Sequence, residues 1–154
     1  MPSLPPSDAR LDGRLQLIVL SCQRLTGKAL IADVPSDIVA LRLALWNAPR
    51  AIVAHGTEDD PVFFYGNRLA LQLFEMSFDE FTRLPSRFSA EPLAREERSK
   101  LLQRVTLQGF ADNYSGMRIA SSGKRFMIAD GTVWNLADEQ GDYHGQAAVF
   151  VAAP

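Results

Sequence analysis

The sequence predicts an α+β fold: two N-terminal helices, then a five-stranded antiparallel sheet with short helices on one face. Three observations carry that reading. Apolar residues recur at helical spacing as far as Trp46. From Ala51 onward, short β-competent runs are separated by Gly, Asn and Asp turn signals. These runs divide into two before a group of short helical segments and three after it, linked by hairpin-length turns. A chain of 154 residues is long enough for one well-buried core and too short for two. Residues 1–10 read as a disordered tail, 11–47 as an N-terminal helical extension and 48–152 as the sheet domain.

The first helix runs from about residue 11 to 26, because Leu11, Leu15, Ile18, Val19, Cys22 and Leu25 share one stripe and Gly27 supplies a stop. Leu17 and Leu20 fall off that stripe, so the helix either packs on two sides or offers one face to a second subunit. Pro35-Ser36 opens a second helix with Ser36 as N-cap; Ile38, Val39, Leu41, Leu45 and Trp46 supply its apolar contacts and Pro49 ends it. Ala51 to Ala54 forms a first strand, His55 to Asp60 a turn, and Val62 to Tyr65 a second strand. Asn67 is placed to cap a short helix from Arg68, and Ser77-Phe78-Asp79-Glu80 has the spacing of a capping box, in which serine and glutamate satisfy each other's free amides. Pro92 suits the first turn of a longer helix that stops at Gly109, with Leu93, Leu101, Leu102, Val105 and Leu107 inward and Arg95, Glu96, Glu97, Arg98 and Lys100 outward. Phe110 to Ala120, Arg125 to Leu136 and Tyr143 to Ala152 complete the sheet, and Gly131 marks a bulge in the middle one.

Composition excludes several classes. The net charge is −2 and the Lys and Arg residues are scattered, without the basic stripe that a phosphate backbone requires, so nucleic acid is not expected as a partner. Cys22 is the only cysteine, which rules out an internal disulfide and any multi-thiolate metal site and fits a reducing cytoplasm; it reads as a small buried apolar residue. Residues 1–8 lack the charged and apolar regions of a secretory signal, and Leu15–Leu20 falls far short of the ~20 residues of a membrane span. A cytoplasmic protein without membrane association is expected.

The element order resembles the PAS superfamily, which has a five-stranded antiparallel sheet, short helices between its second and third strands, and a hydrophobic pocket between sheet and helices. Three stretches narrow the resemblance. They are Phe64-Tyr65-Gly66-Asn67-Arg68-Leu69-Ala70, Phe81-Thr82-Arg83-Leu84-Pro85-Ser86-Arg87-Phe88-Ser89-Ala90-Glu91-Pro92, and Val133-Trp134-Asn135-Leu136. They are similar to the MEKHLA domain, a PAS-like family found as small bacterial proteins and at the C-terminus of plant homeodomain-leucine-zipper regulators. The resemblance covers roughly residues 46–150 and implies a sensory or interaction module. It assigns no ligand.

No catalytic or metal-binding constellation is apparent. His55 and His144 stand far apart without a neighbouring ligand at metal spacing; His55 reads as a solvated turn residue and His144 as half-buried. Haem is disfavoured, since the long helix from Pro92 to Leu107, where haem-binding PAS proteins commonly carry an axial histidine, contains none. Flavin is disfavoured too: Ser86 stands where light-sensing PAS domains carry their reactive cysteine, and Gln146 follows Gly145 without the usual intervening residue. The cofactor therefore stays unknown. Ser86-Arg87-Phe88 reads as a helix-connecting turn with Phe88 in the core and Arg87 either paired to an acid or binding an anion. Gly27-Lys28 lacks the rest of a phosphate loop, and Ser121-x-x-Lys124 lies in a hairpin turn instead of opening a buried helix.

What remains is a pocket on the sheet, where aromatic and apolar residues with a few polar groups hold a small molecule. Trp134, Tyr65, Asn135, Arg118, His144 and Arg87 are the ligand-binding candidates, with Trp134 able to stack on a planar ligand. The leading expectation is a non-catalytic sensory module acting as a homodimer through its sheet or N-terminal helices, with output through a separate protein partner. A dimerisation module without ligand is the second reading. A small enzyme using His144, Arg118 and Asp130 in the cavity is the third.

Overall fold

The computed structural model describes residues 5–90 and 92–153, with the backbone alone for residues 92–95 and 98. Helices α1 (Ala9–Thr26) and α2 (Ile38–Trp46) come first. Strands β1 (Ala51–His55) and β2 (Phe63–Gly66) follow, then α3 (Arg68–Phe74), α4 (Phe78–Phe81) and a 3₁₀ turn at Ser86–Ser89. Helix α5 (Pro92–Gln108) leads into β3 (Phe110–Ile119), β4 (Arg125–Ala137) and β5 (Tyr143–Ala152). The predicted inward place of Leu93, the outward places of Arg95 and Arg98, and residues 1–4 of the predicted tail lie outside the described residues and side chains.

Local chemistry sets most boundaries where the sequence puts them. Asn67 caps α3 through the Ala70 amide, and Ser77 and Glu80 form both bonds of the capping box on α4. Gly27 closes α1 in the left-handed conformation. One cap shifts by a residue: Asp37, not Ser36, starts α2, its carboxylate taking the Ala40 amide.

The strands form one antiparallel sheet in the order β2-β1-β5-β4-β3, which puts the first and last strands side by side at its centre. Helices cover both faces. On the outer face, Leu11, Leu15, Ile18, Val19 and Cys22 of α1 and Leu41 and Leu45 of α2 pack on Ile52, Ala54, Tyr65, Trp134, Leu136, Ala147 and Val149. On the inner face, Leu71, Phe74 and Phe81 pack on Ala51, Val53, Phe63, Ile128 and Phe150, while α5 adds Leu101 and Val105 against Val133. Burial on two faces makes all five residues of β1 buried and erases the polar alternation of a half-exposed strand. The α1 stripe thus packs on its own domain; Leu17 joins that core, whereas Leu20 stays exposed.

Two inward assignments are corrected. Leu107 is 86% exposed, because it stands two residues, about 200° of helix rotation, from Val105, which faces the sheet, and Phe88 is 39% exposed, stacked under Arg87 on the surface instead of entering the core. The predicted bulge is present: between Ala129 and Thr132, β4 advances three residues while β5 advances two. The left-handed residue there is Asp130 (φ 51°), and Gly131 leaves room for the Tyr114 carbonyl, 2.9 Å from where a Cβ would stand.

Candidate ligand-binding site

Between the inner face of the sheet and α5 lies a cavity of about 50 Å³, walled by Phe74, Leu101, Leu102, Ile128, Val133 and Ala148. Five side chains with polar groups also line it: His55, Ser89, Tyr114, Arg118 and Gln146. Their positions follow from strand register. His55 on β1 pairs with Gln146 on β5, and Gln146 with Asn135 on β4, which sets three polar residues in a row across the inner face. Gln146 Nε2 donates to Asn135 Oδ1 at 3.0 Å, and Asn135 Nδ2 to the Val105 carbonyl of α5 at 3.0 Å. Gln146 Nε2 also lies 3.4 Å from Leu102 O and Thr106 Oγ1, so two carboxamides on the sheet hold the C-terminal half of α5.

Gly145 makes this row reachable. Its φ is 127°, and a Cβ there would stand 2.0 Å from the His55 carbonyl oxygen, so β5 approaches β1 closer than any side chain permits. His55 Nδ1 is 3.0 Å from the Gly56 carbonyl. A carbonyl only accepts, so in the neutral ring the proton sits on Nδ1 and Nε2 is the accepting nitrogen.

Arg118 reaches the cavity from β3. Its guanidinium donates to the Met117 carbonyl at 2.9 Å and to the Tyr114 hydroxyl, and lies 5.3 Å from the Tyr114 ring centre. Gly116 stands between them on the strand: a Cβ there would be 2.9 Å from Tyr114 Oη and 3.3 Å from Arg118 Nη1.

Of the six candidates, Arg118 lines the cavity and Asn135 stands beside it, bonded to Gln146. The other four do not. Trp134 and Tyr65 are buried on the outer face, under α1 and α2. One cause accounts for both. A bulge adds a residue to β4 between Ile128 and Trp134, so Ile128 faces in and Trp134 faces out although their spacing is even. A second bulge makes Ala54 pair with Tyr65 but His55 with Phe63, which turns Tyr65 outward from Phe63. Trp134 Nε1 donates to Ser21 Oγ of α1 at 3.0 Å, which ties β4 to that helix. His144 is exposed at the β4–β5 hairpin and pairs with Asp138 at 2.9 Å; that hydrogen bond, with those from the Asp142 and Gln140 amides, holds the Asp138 carboxyl below its usual range. The expected exposures of the two histidines are therefore reversed, since His55 is buried by the sheet that the turn assignment left out. Arg87 is half-exposed and paired with Asp60 at 3.0 and 3.1 Å.

The triad proposed for an enzyme does not assemble. Arg118 lines the cavity, His144 sits on the hairpin, and Asp130 borders a separate groove with Cys22 and Lys28. No group of three His, Cys, Asp or Glu side chains that could hold a metal is found among the described residues, and no described helix is long and apolar enough to cross a membrane. Ser89, Tyr114 and Gln146 are wall residues outside the six candidates. The alternation Tyr114-x-Gly116-x-Arg118, two large side chains flanking a glycine on one strand face, is the signal that points to this wall.

A family model for the MEKHLA domain matches residues 13–153. Among solved structures, the chain is similar to a PAS domain of a protein from Colwellia psychrerythraea, with a TM-score of 0.65 and 18% identity over 76% of this chain and 98% of that one. It is also similar to a light-oxygen-voltage domain studied with a flavin analogue (TM-score 0.58, 21% identity, 75% and 85% covered). The LOV domain of the blue-light photoreceptor Aureochrome1 in its dark state is a third such structure (TM-score 0.57, 19% identity, 80% and 88% covered). At these identities the likeness establishes a PAS-like fold. No curated protein sequence matches this one. Flavin and haem do not fit the cavity as it stands: about 50 Å³ does not admit a multi-ring group, and the one thiol, Cys22, lies on the opposite face of the sheet.

Proposed function

This chain belongs to the MEKHLA domain family, and from that premise we propose that it is a cytoplasmic, non-catalytic sensory module that binds a small molecule between sheet and α5 and signals to a partner protein. The observation that carries the reading is the cavity itself, a mostly apolar space into which buried polar groups converge, the usual make-up of a ligand site. Its volume is well below the ~300 Å³ at which such pockets begin. Occupation therefore displaces α5. That helix is suited to move, because its described apolar contacts with the sheet reduce to Leu101, Leu102 and Val105, with the Asn135 and Gln146 carboxamides as latches. A ligand acceptor that takes the Gln146 amide removes one latch, converting occupancy into helix displacement.

A homodimer is the second element of the proposal, supported by exposed Leu20, Val39 and Leu43 on α1 and α2. The outer sheet face is covered by the chain's own helices, so the contact falls on those helices, not on the bare sheet. The test of the main reading is hydrogen exchange on α5, with and without a ligand found by screening, in the natural protein and in Ala148→Leu, which fills the cavity from β5. Ligand should accelerate exchange over residues 101–108 in the natural protein and leave the variant unchanged. Equal binding by a folded A148L would overturn the site.

A further inference from the structure

Resting on that ligand-binding reading, we propose that the ligand is a small carboxylic acid with an apolar body, and that Arg118 is the residue that takes its carboxylate. Arg118 is 7% exposed, yet both of its hydrogen-bond acceptors, the Met117 carbonyl and the Tyr114 hydroxyl, are neutral. No carboxylate pairs with it among the described residues. The contrast with other arginines is direct: Arg42 and Arg87 are more exposed and each holds a carboxylate in bonds of 2.6–3.1 Å. A guanidinium taken out of water without a counter-ion is among the costliest arrangements a fold can keep, and an incoming anion relieves it.

The surroundings define the rest of the ligand. The guanidinium offers a planar fork of donors matched to a carboxylate. The Tyr114 hydroxyl accepts from Arg118 and keeps its own proton to donate, so the same oxyanion can meet two residues of β3. Beyond them the walls are Phe74, Ile128, Val133 and Phe150, which favour an alkyl or aryl body over a strongly hydrated inorganic anion. Gly116 is what allows Tyr114 and Arg118 to converge across the strand.

Matched acid and amide pairs separate charge from shape: butyrate and butyramide, benzoate and benzamide, phenylacetate and phenylacetamide, titrated calorimetrically in chloride-free buffer against the full chain. At least one acid should bind about 10- to 100-fold tighter than its amide, the usual worth of a charge-assisted bond. In Arg118→Gln that preference should vanish while the unliganded variant melts at or above the natural temperature, because an uncompensated buried charge has been removed. If Arg118→Gln does not fold, Arg118→Lys serves, keeping the charge without the fork and losing about 10-fold for acids and nothing for amides. Amides binding as well as acids, phosphate binding as well as acids, or acid binding that survives the variants would overturn the carboxylate inference and leave the cavity reading standing. No acid or amide binding, with A148L indistinguishable from the natural protein in hydrogen exchange, would remove both.

Discussion

Replacing Asn67 with Ala should cost more stability than almost any other polar substitution in this protein. The side chain is wholly buried and makes four hydrogen bonds: Oδ1 accepts from the Ile52 and Ala70 amides, both at 3.1 Å, and Nδ2 donates to the Leu45 and Arg50 carbonyls at 3.0 and 2.9 Å. One residue thus joins the end of α2, the start of β1 and the first turn of α3. Alanine strands the Ile52 and Ala70 donors inside the protein at about 1–3 kcal/mol each. Leu45 O keeps a weak bond from the Ala48 amide at 3.4 Å, and the carbonyls suffer less. The expected total is about 3–5 kcal/mol. With a urea slope of about 2 kcal/mol/M for a chain of this size, the midpoint should fall by roughly 2 M with the slope unchanged. Asn67→Ser, which retains a capping oxygen for Ala70, should lose about half as much. A loss below about 1 kcal/mol for Asn67→Ala would refute the picture of a buried hub.

Tyr65→Phe should raise stability by about 1 kcal/mol, since the Tyr65 hydroxyl is buried without a hydrogen-bond partner among the described residues and burial pushes its phenol well up; a lowered melting temperature would show that the hydroxyl is used. Trp134→Phe should lose about 2 kcal/mol through the bond to Ser21 and the lost ring volume, yet leave ligand affinity unchanged, so weakened binding in calorimetry would return Trp134 to the site. Acid should destabilise the fold. The Arg42 hydrogen bond holds the Asp12 carboxyl below its usual range, and Asp138, Glu58, Glu75 and Glu80 are lowered by their own hydrogen bonds. Groups depressed in the folded state contribute stability that is complete above their unfolded pKa of about 4 and is lost as pH falls through the folded value. Urea midpoints measured from pH 7 down to pH 3 should therefore drop, less steeply in Asp12→Asn; parallel curves would contradict the assignment.

The sequence made short-range features legible and left the strand faces undetermined. Asn67 and the Ser77–Glu80 box were readable because a cap depends on three or four consecutive residues. The two aromatic site candidates, Trp134 and Tyr65, lie on the outer face for a physical reason that lies in pairing. A bulge shifts parity by one residue, and the sequence marks the β4 bulge through Gly131 but carries no such mark between Phe63 and Tyr65. Burial of His55 escaped notice because it depends on β1 lying beside β5, a contact between residues about ninety apart in the chain. Arg118 and Asn135 were readable as polar residues on predicted strands, whereas the lack of a carboxylate partner for Arg118 among the described residues is visible only once its neighbours are assembled.

The central claim, that a small molecule enters between the sheet and α5, is tested most directly by amide-selective NMR on the natural protein titrated with the acid series. The side-chain amides of Gln146 and Asn135 should shift with the backbone of residues 101–106, while the indole of Trp134, on the far face of the sheet, stays fixed. A moving Trp134 indole with unmoved Gln146 and Asn135 amides would put the ligand on the other side of the sheet and contradict the account.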